Sequence, residues 1–266
     1  MMQETKSAEI PAATSPADEV LAAAHSLIGE ATFLRCLCED AKQRYDEDGH
    51  SILAIQKPTD WTLAAINIEK VARKDASHIE LSGPRMGIRY NEYGKIFERK
   101  PLKLAEIHIE VAADSDAQFK RALDNIFAIG IDYRLQQATT PLWKHYFNAA
   151  LPWPDDDLKG KTIYRTAPKA TSFVEASATA KSDILFTTEA QQNRITGSIL
   201  VKAIIDVDGK AKRVLLVQPL GFGLDQPTAA SIAKWTFKPA TKDGQPVISE
   251  ITIEERIAAR PSRPVR

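Results

Sequence analysis

The chain has 266 residues, 44% of them hydrophobic and 26% charged, the balance of a soluble globular protein long enough for two domains. Its 35 Lys and Arg equal its 35 Asp and Glu, so no overall field draws it to nucleic acid or to an anionic membrane. No stretch reaches the ~18 apolar residues of a membrane span, and residues 1–19 lack the basic start and apolar run of a secretory signal, so the chain as written is expected to carry no export address.

Residues 1–17, rich in Ala, Ser, Thr, Pro and Glu, are expected to be a disordered leader. Asp18 caps a predicted helix that runs to residue 28, with Val20, Leu21, His25 and Leu27 periodic and Gly29 as its end. Residues 33–38 read as a strand and carry the two cysteines of the chain, Cys36 and Cys38. On a strand, side chains two residues apart share a face with Cα atoms ~6.5–7 Å apart, the limit for a disulfide. The plain reading is a pair of small half-buried hydrophobes; a strained redox pair or a two-thiolate chelate is the alternative. No further Cys completes a zinc site.

Asp48-Gly49 signals a hairpin before residues 52–56. Short extended runs at 61–71, 78–81, 86–90, 96–99 and 104–111, broken by Gly83-Pro84 and a turn at 91–94, predict a small antiparallel sheet or sandwich, not a parallel βαβ array. Asp114 or Ser115 opens a helix with Phe119, Leu123, Ile126 and Phe127 on one stripe and Gly130 as its stop. Thr140-Pro141 opens another, carrying Leu142, Trp143, Tyr146 and Phe147. Residues 18–150 thus form an N-terminal α+β domain, mainly antiparallel β with helices. Residues 151–181, with Pro152, Pro154 and the run Asp155, Asp156, Asp157, are expected to be a linker.

The last third is more legible. Residues 198–206 alternate, with Ile199, Val201, Ala203 and Ile205 on one face; Asp208-Gly209 turns the chain and residues 211–217 return. Gly221 and Gly223 mark a loop of unusual backbone angles. Asp225 caps a helix with Pro227 in its first turn, and Trp235 and Phe237 close it over the sheet. Pro239 and Asp243-Gly244 turn again before a last strand at 247–257, with Val247, Ile251, Ile253 and Ile257 inward and Ile248, Glu250, Thr252, Glu254 and Arg256 outward. The order is ββαβ, and the fold class of the whole is α+β in two domains. The tail 258–266, where Arg260, Arg263 and Arg266 interleave with Pro261 and Pro264, is expected to be disordered.

In this order stand residues 194–197, Val207-Asp208-Gly209, Gly221-Phe222-Gly223-Leu224-Asp225, Trp235-Thr236-Phe237-Lys238-Pro239-Ala240 and Asp243-Gly244-Gln245-Pro246-Val247. Together they resemble the TonB C-terminal domain over residues 182–257. The resemblance implies an energy-transducer-like binding module of the periplasm or cell envelope, linked to transmembrane transport, which grips an extended segment of an outer-membrane transporter by adding it as a β-strand. The edge residues for that capture are Ile248, Glu250, Thr252, Glu254 and Arg256, and a homodimer formed by the same strand addition is the second partner. Phe186-Thr187 stands where many relatives open with Tyr-Pro, and the membrane anchor and long Pro-rich spacer of full transducers are not seen in this chain. A cytoplasmic location is the alternative to the envelope.

An enzyme is not expected. His25, His50, His78, His108 and His145 are scattered, none at metal-ligand spacing, and no phosphate-cradling, Gly-x-Ser-x-Gly or His-Glu-x-x-His motif occurs. No cofactor or metal is expected. The alternative class is a ligand-binding or hydrolase-like N-terminal domain with the C-terminal module as its tether. A pocket within residues 30–150 lined by convergent His, Asp, Glu or Ser side chains would favour it.

Overall fold

The computed structural model describes residues 16–54, 56–113, 115–153, 157–165 and 172–258. The leader up to residue 15, Asp114, Asp155, Asp156 and the arginine-bearing tail lie outside them. Helix α1 (Pro16–His25) starts two residues before the expected cap and ends at His25, and the chain then turns through Gly29 at φ 86°.

Strand β1 (Thr32–Leu34) is shorter than predicted. Beyond it Leu37 takes φ 46°, which draws the flanking Cα atoms to 5.2 Å, and Cys36 and Cys38 form a disulfide. Reading them as a pair of small free hydrophobes is therefore corrected: the chain leaves the strand before the cysteines, so the strand spacing does not apply.

β2 (Lys42–Tyr45) follows, and the Asp46 carboxylate accepts the N–H groups of Asp48 and His50 to close a turn. Among the described residues the return strand expected at 52–56 is reduced to a bridge between Tyr45 and Ser51. Asp60 caps a 3-10 turn, Trp61–Leu63, which leads to β3 (Ala65–Ile66) and β4 (Lys70–Arg73).

The four short runs predicted between 78 and 111 are two long strands, β5 (His78–Asn91) and β6 (Ile96–Ala112), paired over their whole length. Gly83-Pro84 does not break β5. The backbone of Asn67 crosses so close that a Cβ at Gly83 would lie 1.8 Å from its carbonyl oxygen, and a register shift beside Pro84 absorbs the missing N–H. α2 (Asp116–Ile126) carries the expected stripe but ends at Ile126, not Gly130, because Phe127 to Ile129 pair with β1 as β7 (Phe127–Ile129). α3 (Tyr133–Ala138), capped by Asp132, was not legible in the sequence, whereas α4 (Pro141–Phe147) starts at its predicted proline.

These strands make one sheet in the order β2-β6-β5-β3-β1-β7, with β4 also on β5. Every pairing in it is antiparallel except β2 with β6. α1 and α2 cover one face, where Val20, Leu27, Phe119, Leu123 and Ile126 pack on Ile79, Leu81, Ile107 and Ile109. Those side chains lose their water together, which is the main drive for this half of the fold.

The stretch 151–181 contributes short strands β8 (Tyr164–Arg165), β9 (Phe173–Val174) and β10 (Ser177–Ala180). The C-terminal part adds α5 (Thr188–Gln192), β11 (Gly197–Ile205), β12 (Ala211–Gln218), α6 (Asp225–Ile232), β13 (Thr236–Lys238), β14 (Ala240–Lys242), β15 (Gln245–Val247) and β16 (Ser249–Ile257). The predicted ββαβ frame is β11, β12, α6 and β16, in a sheet ordered β12-β11-β16-β8. The last strand is divided at Ile248, because Gln245 to Val247 fold back on β14 around the Asp243-Gly244 turn.

A second hydrophobic cluster runs through both halves. Phe33, Trp61, Leu63, Ile88 and Trp143 pack in the same cluster as Ile199, Val201, Phe222, Leu224, Ile232 and Trp235. The protein is α+β, as expected.

Candidate peptide-binding edge

The site is built from the inside of the module outward. β11 is its central strand, with Ile199, Val201, Ala203 and Ile205 buried beneath α6 as the alternation predicts. Trp235 and Phe237 are core residues, 3% and 6% exposed. Gly209 turns the β11–β12 hairpin at φ 78° against the Phe237 carbonyl, where a Cβ would lie 2.1 Å away. Gly244 turns the β14–β15 hairpin, and Pro239 separates β13 from β14.

The loop before α6 has three successive residues at positive φ: Gly221, Phe222 and Gly223. That path lets it lie along β5: the Phe222 N–H donates to the Ile88 carbonyl at 3.0 Å and the Tyr90 N–H to the Leu220 carbonyl at 3.1 Å. Asp225 holds the loop from behind. Its carboxylate, wholly buried, accepts the N–H groups of Leu220 at 2.7 Å and Gly221 at 2.8 Å. The expected capping role is therefore replaced by a clamp on the preceding loop. Burial pushes the Asp225 pKa up to about 7 against the pull of those two amides, and Asp60 adds to the rise. A polar chain joins the loop to the other half: the Gly223 N–H donates to Thr62 Oγ1, Thr62 Oγ1 to Asp60, and Trp143 Nε1 to the same carboxyl, at 2.8, 2.6 and 2.8 Å. Leu224, fully buried, packs in the shared core.

This leaves the flanks of the small sheet unequal. α4 packs against β12, Lys212 of β12 pairs with Asp157, and Arg213 lies over the Trp153 ring. β16 pairs with β11 from Ser249 to Ile257 without a register shift, but on its outer side, among the described residues, only Ser249 and Glu250 meet a partner, the parallel β8. The Tyr164 N–H donates to the Ile248 carbonyl at 2.8 Å, so the backbone of even-numbered residues faces outward. Because main-chain groups alternate sides along a strand, the N–H and C=O groups of Thr252, Glu254 and Arg256 share that direction. From Ile251 to Ile257 no strand among the described residues covers them.

The predicted edge residues are thus placed as follows. Ile248 lies between β15 and β16 and is tied to β8. Glu250 is held by Lys202 at 3.0 Å and Arg165 at 3.3 Å. Thr252, Glu254 and Arg256 are exposed along the open stretch. Ser198 Oγ donates to Glu254 at 2.7 Å and keeps its carboxyl below the usual range, with Arg256 assisting. Beside the far end of β16 lies a groove of ≈ 530 Å³ lined by Ile184, Phe186, Trp235 and Ile257, with Lys181 set over the Trp235 ring at 4.4 Å. Tyr164 was missed as a neighbour of this edge, since a two-residue strand in a Pro- and Ser-rich stretch leaves no periodic signal.

In the other half a charged cluster lies on the sheet. Glu110 is bonded by Arg44 and Lys74 at its two carboxyl oxygens, and His108 sits 3.0 Å from Glu80. Lys74, then Arg44, holds the Glu110 carboxyl below its usual range. These groups are spent on one another as ion pairs. His145 is buried, stacked on Trp153 at 3.8 Å. Among the described residues no group of His, Cys, Asp and Glu has metal-site geometry, and no helix is long and apolar enough to cross a membrane.

Among the described residues the C-terminal part is a short sheet with one covering helix, an α+β module whose last strand has no partner strand beyond Glu250. Residues 184–256 match the family described as Gram-negative bacterial TonB protein C-terminal, so this part of the chain is similar to that domain. No curated protein matches the chain.

Proposed function

We propose that the protein is a cell-envelope binding protein that captures an extended peptide along the outer side of β16. The observation that carries this is the run of outward main-chain groups from Thr252 to Arg256 beside an edge that no strand among the described residues covers. A guest strand pairing with three residues, two groups each, gains on the order of 0.5–1.5 kcal/mol per hydrogen bond. Association costs roughly 4–15 kcal/mol in lost freedom, so main-chain pairing alone makes a weak complex. Side-chain contact must supply the rest, and the groove at Ile184, Phe186 and Trp235 lies where a guest apolar residue would reach it. β8 limits the start of the guest to the position beyond Glu250.

The family resemblance suggests an outer-membrane transporter segment as guest, and through it a link to transmembrane transport in the periplasm. The test is an NMR titration of the full chain with synthetic peptides from the N-termini of outer-membrane transporters. Amide shifts concentrated at Thr252, Glu254 and Arg256 are expected. Saturating peptide with those amides unmoved removes the reading. A mass that doubles with concentration in light scattering, with the same amides shifted, makes a second copy of this chain the guest.

A further inference from the structure

The Cys36–Cys38 disulfide has no part in that edge, and its setting points elsewhere. We propose that it is a redox-active pair that oxidises thiols by disulfide exchange. A cross-link earns its keep as a staple by closing a long loop in the unfolded chain, and this one spans a sequence separation of 2. It also requires Leu37 at φ 46°, a left-handed backbone that a branched side chain rarely adopts. The surroundings hold that conformation in place: the Leu37 N–H donates to the Leu34 carbonyl at 3.1 Å, and the Leu37 carbonyl accepts the Thr59 N–H at 2.6 Å. Strain imposed by neighbours in this way is characteristic of functional positions.

The two sulfurs are not equivalent. Cys38 is 1% exposed, whereas Cys36 is half-buried and lines a cleft of ≈ 290 Å³ with Pro58, Asp60 and Thr140. Cys36 is the sulfur an incoming thiol meets, and Cys38 the one that leaves. The Tyr45 hydroxyl lies 3.7 Å from Cys36 Sγ and donates its proton to Gln43 Oε1 at 2.5 Å. Arg85, buried in the protein, donates through Nη2 to the Cys38 carbonyl at 3.2 Å, while its buried Nε has no hydrogen-bond partner among the described residues.

In the exchange, a thiol that has lost its proton to solvent attacks Cys36 Sγ. The Cys36–Cys38 bond breaks, its electron pair departs on Cys38 Sγ, and a mixed disulfide forms. A second thiolate attacks the substrate sulfur and releases the Cys36 thiolate. Two thiols become one disulfide, and the two electrons they lose reside on Cys36 and Cys38, which take protons from solvent. The substrate class is a small thiol or the cysteine of a peptide.

The test uses the full chain in millimolar glutathione, quenched in acid, alkylated and weighed by mass spectrometry. The native chain is expected to be reduced at least as fast as the same chain in urea; reduction more than about tenfold slower when folded marks a structural staple and overturns the proposal. In millimolar oxidised glutathione, whose disulfide the free thiol attacks with release of one glutathione thiol, the Cys38→Ser variant is expected to accumulate a glutathione adduct at Cys36, at least about tenfold faster than Cys36→Ser does at Cys38. Equal rates in variants with wild-type circular dichroism overturn the assigned roles. Repeating the wild-type arm with a short cysteine peptide shows which thiol source reacts faster.

Discussion

Asp225 and Gly221 carry the docking loop, and their chemistry makes separate predictions. Burial pushes the Asp225 carboxyl up to about 7 in the folded protein, from an ordinary value of 3.8, so folding retains a proton that the unfolded chain has lost between those values. Stability from this group is fully present below pH ~4 and falls as pH rises to about 7, after which it is level. His145 works the other way: burial lowers its pKa, so its contribution is lost as pH falls through and below its ordinary value. Urea unfolding from pH 4 to 8 in a His145→Gln background is expected to show a falling limb, which the buried Asp60 carboxyl, also pushed up by burial, shares. Asp225→Asn is expected to flatten that limb and to destabilise the protein by about 1–3 kcal/mol at pH 5, since its amide cannot accept both loop N–H groups. Gly221→Ala places a methyl 2.0 Å from the Ile88 carbonyl at φ 91°. A loss of more than about 1 kcal/mol is expected in the same assay, because neither backbone can yield without breaking the pairing.

At the scale of the strand, the alternation of β16 separates binding from folding. The Thr252 N–H faces the open side and the Ile253 N–H faces β11. Thr252→Pro is therefore expected to leave the melting temperature within a few degrees while abolishing peptide-induced shifts, and Ile253→Pro to unfold the module by removing a ladder bond. Thermal melts and the peptide titration read both. The same alternation is visible in the sequence, where Glu250, Thr252, Glu254 and Arg256 fall on one side of the strand. The hairpin of β5 and β6 was not legible as one unit, because glycine and proline ordinarily punctuate a strand; only the crossing of Asn67 explains why they lie inside it. Likewise β8 was hidden, since its place comes from one hydrogen bond to Ile248 and one ion pair, not from a pattern of its own.

Across the whole molecule, the expected independence of the C-terminal module meets a shared core. Phe222 is fully buried, and its ring fills the space that a Cβ at Gly87 would enter at 2.6 Å. Trp61, Trp143 and Phe147 form an aromatic cluster in the same core. Chemical unfolding followed by tryptophan fluorescence and by hydrogen exchange of β11 and β16 is therefore expected to give coincident transitions. Phe222→Ala is expected to lower both together by about 3–5 kcal/mol. Two separate transitions would mean that the halves fold apart.

The amino-acid sequence by itself determined the module: residues 194–257 carry period-two strands, Asp-Gly turns and a proline-led helix, all signals that act within a few residues of one another. It also determined which side of the last strand is polar, because side-chain direction follows from strand geometry alone. Only the tertiary structure decided that the Gly221 loop docks on β5, that Asp225 clamps it, that β8 pairs with the start of β16, and that Leu37 turns so that two cysteines meet. Each of these depends on groups brought together from distant parts of the chain, and no local pattern encodes what another segment will place beside it.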